Sequence, residues 1–539
     1  MNVVEPPRSV ATPARNVSQA EQKRQTRHVK GAKGKDDGKQ KEPMRALKMQ
    51  RALAQVPYDK RGRIKETLAS RESFREFDLL PTVQEAVGPQ ALGGIVDPSP
   101  TPIQRLAVPA LLGMENGKRR RRRRAEENKE EMQQFLLAAE TGSGKTLAYV
   151  LPIINALKVA EAEEAATEKH KESQQPPPGD ALSSLELPSP PTTGISPSTG
   201  RPRVIILLPT SELVSQVGAL VKSLSHTIKF RSALISAAYS GTIIRNRLFS
   251  PSGIDVVIAT PHLLSSITES DPNVLSRVSH LVIDEADSLF DRSFSPITSA
   301  IVDRASPSLE QLILCSATIP RSLDGYLHKR FPNIKRLVTP NLHAIPRRVQ
   351  LSVVDIDKTP YQGNRDLACA QVLWDIGKEA TDDPSAVGKK TVVFVNEREK
   401  ATELAKYLQS KNIDATALSR DVDERKQAET LAAFTGQLVP SSSSAKAAAA
   451  VTVPATWTRS PALKVLVTTD IASRGIDTLP VKHVVLYDVP HTSIDFIHRL
   501  GRVGRMGRRG RGVVLVGKKD RKDVVKEVRE GMFRGAALI

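Results

Sequence analysis

Cysteine is almost missing from this chain: Cys315 and Cys369 are the only two in 539 residues. Two thiols cannot assemble a four-ligand zinc site or a disulfide framework, and such usage fits a reducing compartment. Aromatic residues make up only 4 % of the chain, too few for a surface that stacks successive bases in the manner of single-strand binders. No apolar run approaches the roughly 18 residues needed to cross a bilayer, so the sequence predicts a soluble protein without membrane insertion. Acids are scarce at the start, where Glu5, Glu21, Asp36, Asp37, Glu42 and Asp59 are nearly all there are before residue 70. The net charge of +20 predicts a polyanionic partner, nucleic acid ahead of an anionic membrane surface. An apolar content of 39 % is enough to build cores, and 539 residues exceed what one core organises, so two or three domains are expected.

Residues 1–73 are basic and poor in large apolar side chains, which predicts a disordered arm. Arg8 and Arg15 suit a mitochondrial transit segment, whereas Glu5, Pro6 and Pro7 do not. A nucleic-acid-binding arm or nuclear signal stays open on composition. From Phe74 the pattern turns globular. Apolar runs at Val204–Leu208, Ala233–Ala237, Asp255–Ala259, His280–Ile283 and Leu312–Cys315 read as strands, with helical stretches such as Glu212–Leu224 between some of them. The pattern restarts after about Asn341. Val392–Val395, Lys464–Val467, His483–Tyr487 and Gly512–Val516 read as strands, and Glu399–Gln409, Glu424–Phe434 and Ser493–Leu500 as helices. Two α/β domains in series, each a parallel sheet flanked by helices, account for this alternation. Three stretches interrupt it as surface insertions, at 114–132, 161–200 and 437–461. The first carries the unbroken basic run Lys118–Arg124, and the second is rich in Pro, Ser, Glu and Ala.

The chemistry starts at Ala139-Glu140-Thr141-Gly142-Ser143-Gly144-Lys145-Thr146, directly after the apolar run Phe135–Ala138. A strand entering a glycine-rich turn that opens a helix with Lys-Thr is a phosphate cradle, because backbone N–H groups and the helix dipole face the anion. Lys145 is expected to reach the β- and γ-phosphates and Thr146 to offer its hydroxyl to Mg²⁺. The run His280–Asp287 ends a hydrophobic strand on Asp284 and Glu285. Alone it reads first as a strand end before an acidic helical turn. With a phosphate cradle upstream, Asp284 is expected to hold Mg²⁺, partly through water, and Glu285 to orient and deprotonate the attacking water. Arg499, Arg502 and Arg505 recur every three residues along one side of a helix or tight turn. That spacing suits arginines aimed at transferring phosphate, with a basic patch on a nucleic-acid backbone as the lesser and compatible alternative.

Taken in order, these segments resemble a DEAD-box RNA helicase of superfamily 2 over about residues 74–530. Phe77 and Pro100-Thr-Pro-Ile-Gln104 resemble the adenine-reading Q motif, with Phe77 stacking on the base and Gln104 bonding its edge. Pro209-Thr-Ser-Glu-Leu-Val-Ser-Gln216 and Ala259-Thr-Pro261 resemble the two RNA-contacting motifs of the first domain. The resemblance places Pro209, Thr210, Thr260, Pro261 and Thr469 on RNA. Ser316-Ala-Thr318 is similar to the motif that couples ATP state to strand separation, joined by His498 and Arg499. Val393-Phe-Val-Asn396 would open the second domain, Asp477 would hold the ribose, and Arg502 and Arg505 would act as arginine fingers. The implied architecture is two tandem RecA-like domains, 74–340 and 347–539. The implied cofactors are ATP and Mg²⁺, and the implied activity is RNA-dependent ATP hydrolysis that opens duplexes or displaces proteins.

The departures are specific. Ser211 stands where the family usually has Arg, and His262-Leu263 replaces the usual Gly-Arg, so the inherited RNA grip is weakened. Asp423-Glu-Arg425 replaces a Gln-x-x-Arg segment, which leaves Arg425 alone to be carried over. The basic arm or Lys118–Arg124 are expected to replace lost phosphate contacts, since backbone binding depends largely on charge count. The phrases Pro209–Val214 and Thr339–Pro346 resemble a fungal mitochondrial branch of the family linked to assembly of the large mitochondrial ribosomal subunit. That finer resemblance implies a monomer in the mitochondrial matrix acting on large-subunit ribosomal RNA, with the nucleus or nucleolus as the alternative. A slowly hydrolysing, ATP-gated RNA clamp is the competing activity. A DNA helicase or protein translocase on the same two domains fits less well.

Overall fold

The computed structural model describes residues 53–54, 72–93, 95, 98–113, 132–173, 199–340, 342–381, 389–418, 429–431, 433–434, 463–470, 481–504, 508–535 and 537–538. Its first sheet is built from β1 (Gln133–Ala138), β2 (Val204–Leu207), β3 (Ser232–Ile235), β4 (Val256–Ala259), β5 (His280–Ile283), β6 (Gln311–Ser316) and β7 (Lys335–Val338). They lie in the order β3-β4-β2-β5-β6-β1-β7, every pairing parallel. The second sheet comprises β8 (Val349–Asp355), β9 (Lys389–Phe394), β10 (Asp414–Leu418), β11 (Leu463–Thr468), β12 (Val481–Leu486) and β13 (Gly510–Val516). Its order is β10-β11-β9-β12-β13-β8, again parallel throughout.

Parallel strands are buried on both faces, which is why β2 and β5 read as unbroken apolar runs rather than alternating ones. Successive side chains still point to opposite faces. Phe135, Leu137, Val204 and Ile206 therefore join one core layer, while Leu136, Ala138, Ile205 and Leu207 join the layer on the other face. The second sheet repeats the scheme, with Val392, Phe394 and Leu466 in one layer and Val393, Val395, Val465 and Val467 in the other. All strands of a sheet point the same way, so their carboxyl ends gather along one edge. That edge is where open α/β sheets hold ligands.

Two expectations are corrected. Glu161–Ser173 is not an irregular insertion but the end of a single helix, Lys145–Ser173, because its Ala-, Glu- and Lys-rich sequence is helix-forming and contains no proline. Leu53 and Ala54, read as part of the arm, are packed. Leu53 forms a bridge with Pro320 of the first domain and lies in a core layer of the second, and the Ala54 N–H donates to Ile319 O at 2.9 Å. No helix among the described residues is long and apolar enough to cross a membrane.

Candidate active site

The glycine-rich turn leaves β1 at Ala138, and the helix that starts at Lys145 leads its dipole back toward it. Gly142 and Gly144 have φ of 73° and 84°, a left-handed conformation that favours glycine. A Cβ on Gly144 would also stand 2.6 Å from Gln104 Nε2. Lys145 Nζ donates to Ala139 O at 2.8 Å and to Glu140 O at 3.0 Å, and Ser143 Oγ donates to Glu140 O at 2.7 Å. The ammonium thus closes the loop on itself. Burial raises the Glu140 carboxyl above its ordinary range, with Lys145 opposing.

Gln104 is buried at 3 % exposure, with both ends of its amide engaged. Its Nε2 donates to Gly144 O at 3.1 Å, and its Oε1 accepts from Thr101 N at 2.8 Å. Here Gln104 braces the phosphate loop. Phe77, expected to stack on a base, is a core residue in this structure, 3 % exposed and edge-on to Phe74 at 5.9 Å between ring centres. Its ring is drawn inward because Phe74 and Phe77 share the apolar layer beneath the sheet.

Asp284 and Glu285 follow β5, the neighbour of β6 in the sheet, and face the phosphate loop. Asp284 Oδ1 accepts from Glu285 N at 2.9 Å, and Asp284 Oδ2 accepts from the Tyr149 hydroxyl at 3.1 Å. Burial, and secondarily the charge of Glu285, raises the Asp284 carboxyl to about 6, against the attraction of Lys145. Glu285 itself has φ 54° and ψ 48°, a left-handed backbone that a side-chain-bearing residue adopts at a cost. The Tyr149 hydroxyl also meets the Thr146 side chain, so a buried carboxylate and a hydroxyl flank the same tyrosine, and these hard oxygen donors fit Mg²⁺. Sequence reading missed Tyr149. The usable signal was its position one helical turn after Lys145, on the same face.

The second domain closes over this half-site. Thr141 Oγ1 donates to Gly501 O at 3.2 Å, and a Cβ on Gly501 would fall 2.2 Å from that same Thr141 oxygen. Thr318 Oγ1 donates to Asp287 Oδ2 at 2.6 Å, and His498 Nε2 lies 3.1 Å from the same oxygen. Ser316 Oγ donates to Thr318 O at 2.6 Å, which fixes the strand end that carries Thr318. Arg499, 1 % exposed, grips Asp470 in a fork: Nε to Oδ1 at 2.7 Å and an Nη to Oδ2 at 2.6 Å. The same Nη donates to Asn396 Oδ1 at 2.7 Å. Arg499 thereby ties the ends of β9 and β11 to its helix, Ser493–Leu500. Arg502 is buried and donates from Nε to His498 O at 3.2 Å. Asp287, Asn396 and Asp470 lay inside recognised motifs, but their partners were not foreseen.

The remaining assigned residues sit at carboxyl ends of strands. Pro209 and Thr210 follow β2, and the Thr210 hydroxyl caps the helix Ser211–Ile228 by accepting from Leu213 N at 3.4 Å. Thr260 precedes the helix Pro261–Ser270, and Thr469 follows β11. His262 packs its ring against Phe294, 5.3 Å between centres. Arg505, Asp477, Arg425 and Lys118–Arg124 lie outside the described residues.

A DEAD/DEAH box helicase profile matches residues 101–325, and a helicase conserved C-terminal domain profile matches residues 379–507. The chain is 56 % identical over 524 residues to a protein of Sclerotinia sclerotiorum named ATP-dependent RNA helicase mrh4, mitochondrial, covering 93 % of this chain and 83 % of that one. A Pyricularia oryzae protein of the same name is 54 % identical over 531 residues, covering 94 % and 80 %. Among solved structures, S. cerevisiae Dbp5 bound to RNA and ADP BeF3 superposes with a TM-score of 0.58 at 21 % identity, over 87 % of this chain and 94 % of that one. Mss116p bound to ssRNA and AMP-PNP gives 0.58 at 18 % identity, over 84 % and 76 %. At such identities these two structures establish the fold: two tandem RecA-like domains.

Proposed function

This chain belongs to the DEAD/DEAH box helicase family, and we propose that it is an RNA-dependent ATPase that remodels RNA or ribonucleoprotein in the mitochondrial matrix. The observation that carries this reading is that the phosphate loop of one domain touches the arginine-bearing turn of the other, at Thr141 and Gly501. The catalytic site is therefore complete only when the domains are closed, and any ligand that binds across the cleft is linked to hydrolysis.

The residues divide the work as follows. Backbone N–H groups of Glu140–Thr146 cradle the phosphates, and Lys145 exchanges its loop carbonyls for phosphate oxygens. Thr146 and Asp284 would hold Mg²⁺, which supplies charge neutralisation along the phosphates. Glu285 orients the attacking water and accepts its proton. Arg502 would reach the γ-phosphate from the second domain and stabilise charge in the transition state, a task the sequence motif also gives to Arg505. Asp287, Thr318 and His498 report closure to the strand ends, where Pro209, Thr210, Thr260, Pro261 and Thr469 would meet the RNA backbone. Relatives that are more than half identical carry a mitochondrial name, and the phrases Pro209–Val214 and Thr339–Pro346 resemble a branch linked to large-subunit assembly, so large-subunit ribosomal RNA is the proposed partner of a proposed monomer.

Steady-state ATP hydrolysis with RNA, with single-stranded DNA and with neither, at two salt concentrations, tests the reading. Strong stimulation by RNA alone, lost in Glu285→Gln, is the expected result; equal stimulation by DNA would overturn it. One observation favours a second reading, a slow ATP-gated clamp. Ser211 and His262 stand at positions where cations usually grip RNA, and His262 is packed on Phe294. Tight ATP-dependent RNA binding with little turnover would identify that clamp.

A further inference from the structure

The carboxyl edge of the second sheet is absorbed by the proposed site; its opposite edge is not. There the strands begin, and five of the six carry a cation at their first residue or directly beside it. β8 is entered through Arg347 and Arg348, and β13 through Arg508 and Arg509, with Arg511 one residue further in. β12 carries Lys482, β9 starts with Lys389 and Lys390, and β11 carries Lys464. The parallel register sets Lys390 directly opposite Lys464, while Arg511 lies opposite Gln350 and His483, so the cations share the edge within a residue or two of one another rather than in strict rank. From β8 across β13, β12 and β9 to β11 the row spans about 19 Å at ~4.8 Å per strand. The strands are six or seven residues long, so the row stands about 20 Å from the edge that carries Asn396, Asp470 and Asp488.

Arg347, Arg348, Lys482, Arg508 and Arg509 are exposed. Arg347, Arg348, Gln350 and Arg509 line one cleft of about 560 Å³, floored by the Gly510 backbone. Among the described residues, the acids at this edge include Glu379, which accepts from Arg511 at 2.9 Å, Asp414 near Lys464, and Glu429, which flanks it. The buried His483 senses the field. Its ring is held down to about 4 by burial first and by Lys389, with Glu379 opposing and Arg511 and Lys482 adding to the effect.

We propose that this basic edge of the second domain is a second binding surface for an RNA phosphate backbone, separate from the interdomain cleft. It rests on the reading of RNA as this chain's partner and adds a place for a structured flank of the same RNA. A row of cations on neighbouring strands matches a continuous line of phosphates, and the polar Gln350 within the cleft suits sugar hydroxyls. A membrane is the poorer fit. The apolar residues that alternate with the cations, Val349, Leu463 and Val481, are all buried, whereas a lipid-binding face pairs its cations with exposed apolar side chains.

The test uses the full chain carrying Arg347→Gln, Arg348→Gln, Lys482→Gln and Arg509→Gln together. Two RNAs are compared: a short single strand that fills the cleft, and the same strand extended by a hairpin. For the hairpin RNA the variant should lose about tenfold or more in affinity, and its salt slope should fall by about 3. The short strand should bind and stimulate ATP hydrolysis as in the unmodified chain, which also reports correct folding. A Lys set at the three arginines should restore hairpin binding, because the surface reads charge. Unchanged hairpin affinity and slope would overturn the proposal, and so would equal losses for both RNAs. Loss of binding to vesicles containing phosphatidylserine, with RNA binding intact, would assign the edge to a membrane and overturn it as well. If the unmodified chain is not stimulated by the short strand, the proposed function fails, while the hairpin slope still decides this surface on its own.

Discussion

His498 Nε2 of the second domain lies 3.1 Å from Asp287 Oδ2 of the first. Thr318 Oγ1 donates to the same oxygen at 2.6 Å, so one carboxylate oxygen is shared between the two domains. Removing one partner of a largely buried hydrogen bond costs about 1–3 kcal/mol. His498→Ala is expected to lower RNA-stimulated turnover by roughly tenfold or more, and to weaken the dependence of RNA affinity on ATP. Nucleotide affinity without RNA should hardly move. Joint titration of ATP and RNA checks this, and an intact coupling factor in the variant would contradict it.

Tyr149 acts on Asp284 through one hydrogen bond of 3.1 Å. Tyr149→Phe keeps the ring packed and removes only the donor, so the Asp284 carboxyl should rise further and hold cations less well. Partners of metal ligands typically matter by about 10–100-fold in affinity or activity. The expected outcome is a shift of the Mg²⁺ titration of ATP hydrolysis to higher concentration, with the melting temperature nearly unchanged. An unaltered Mg²⁺ midpoint would remove Tyr149 from the site.

Gly501 has no room for a side chain. A Cβ would meet Thr141 Oγ1 at 2.2 Å and Ile497 O at 2.6 Å. Gly501→Ala therefore displaces the turn that bears Arg502 relative to the phosphate loop. Misplacement by about 1 Å can cost about 10²-fold in rate, and a loss of that order in kcat is expected. Single-turnover ATP hydrolysis at saturating RNA measures it directly.

Arg499 serves the second domain before it serves chemistry. Its fork on Asp470, with Asn396 as a third acceptor, requires a planar guanidinium. Arg499→Lys keeps the charge but cannot reproduce three fixed bonds. It should destabilise the chain by about 1–3 kcal/mol, the scale for leaving buried hydrogen-bonding groups without partners. Urea unfolding is the measurement, and a change under 1 kcal/mol, roughly the worth of a surface pair, would argue that the fork is dispensable.

Two buried histidines set the acid limit. Burial lowers His280 to about 4 from an ordinary value near 6.5, and His483 similarly. Their unfolded forms bind protons first as pH falls, so stability present above pH 6.5 is lost toward pH 4, by about 3 kcal/mol for His280 at pH 4. Asp284 runs the other way. Its raised value of about 6 means that the folded state binds the proton first, and it offsets part of the loss as pH falls below 6. His280→Leu isolates one contribution. The difference in urea midpoint between the variant and the unmodified chain should change with pH between about 7 and 4. A constant difference would show that His280 is not neutral in the fold.

Local signals in the chain were strong where local physics decides. The unbroken apolar runs announced the parallel strands, since burial on both faces leaves no alternative composition for β2 or β5. Glycines at positions needing positive φ, with Lys145 and Thr146 directly after them, marked the phosphate loop without any neighbour being known. Where composition and pattern disagreed the reading erred. The polar stretch after Glu161 looked like a loop, yet its Ala and Glu content carries the helix on to Ser173.

By itself, then, the sequence determined the two-sheet architecture, the family and the residues of the phosphate loop, because these follow from periodicity, backbone conformation and short spacing. Only the tertiary structure decided which side chains meet: Tyr149 on Asp284, Arg499 on Asp470, His498 on Asp287. It also decided that the cations of five strands share one edge. Those pairs are separated by up to 211 positions in the chain, and no local preference encodes them. They arise when parallel sheets bring all strand ends of one kind to the same side, and when two such sheets face each other across a cleft.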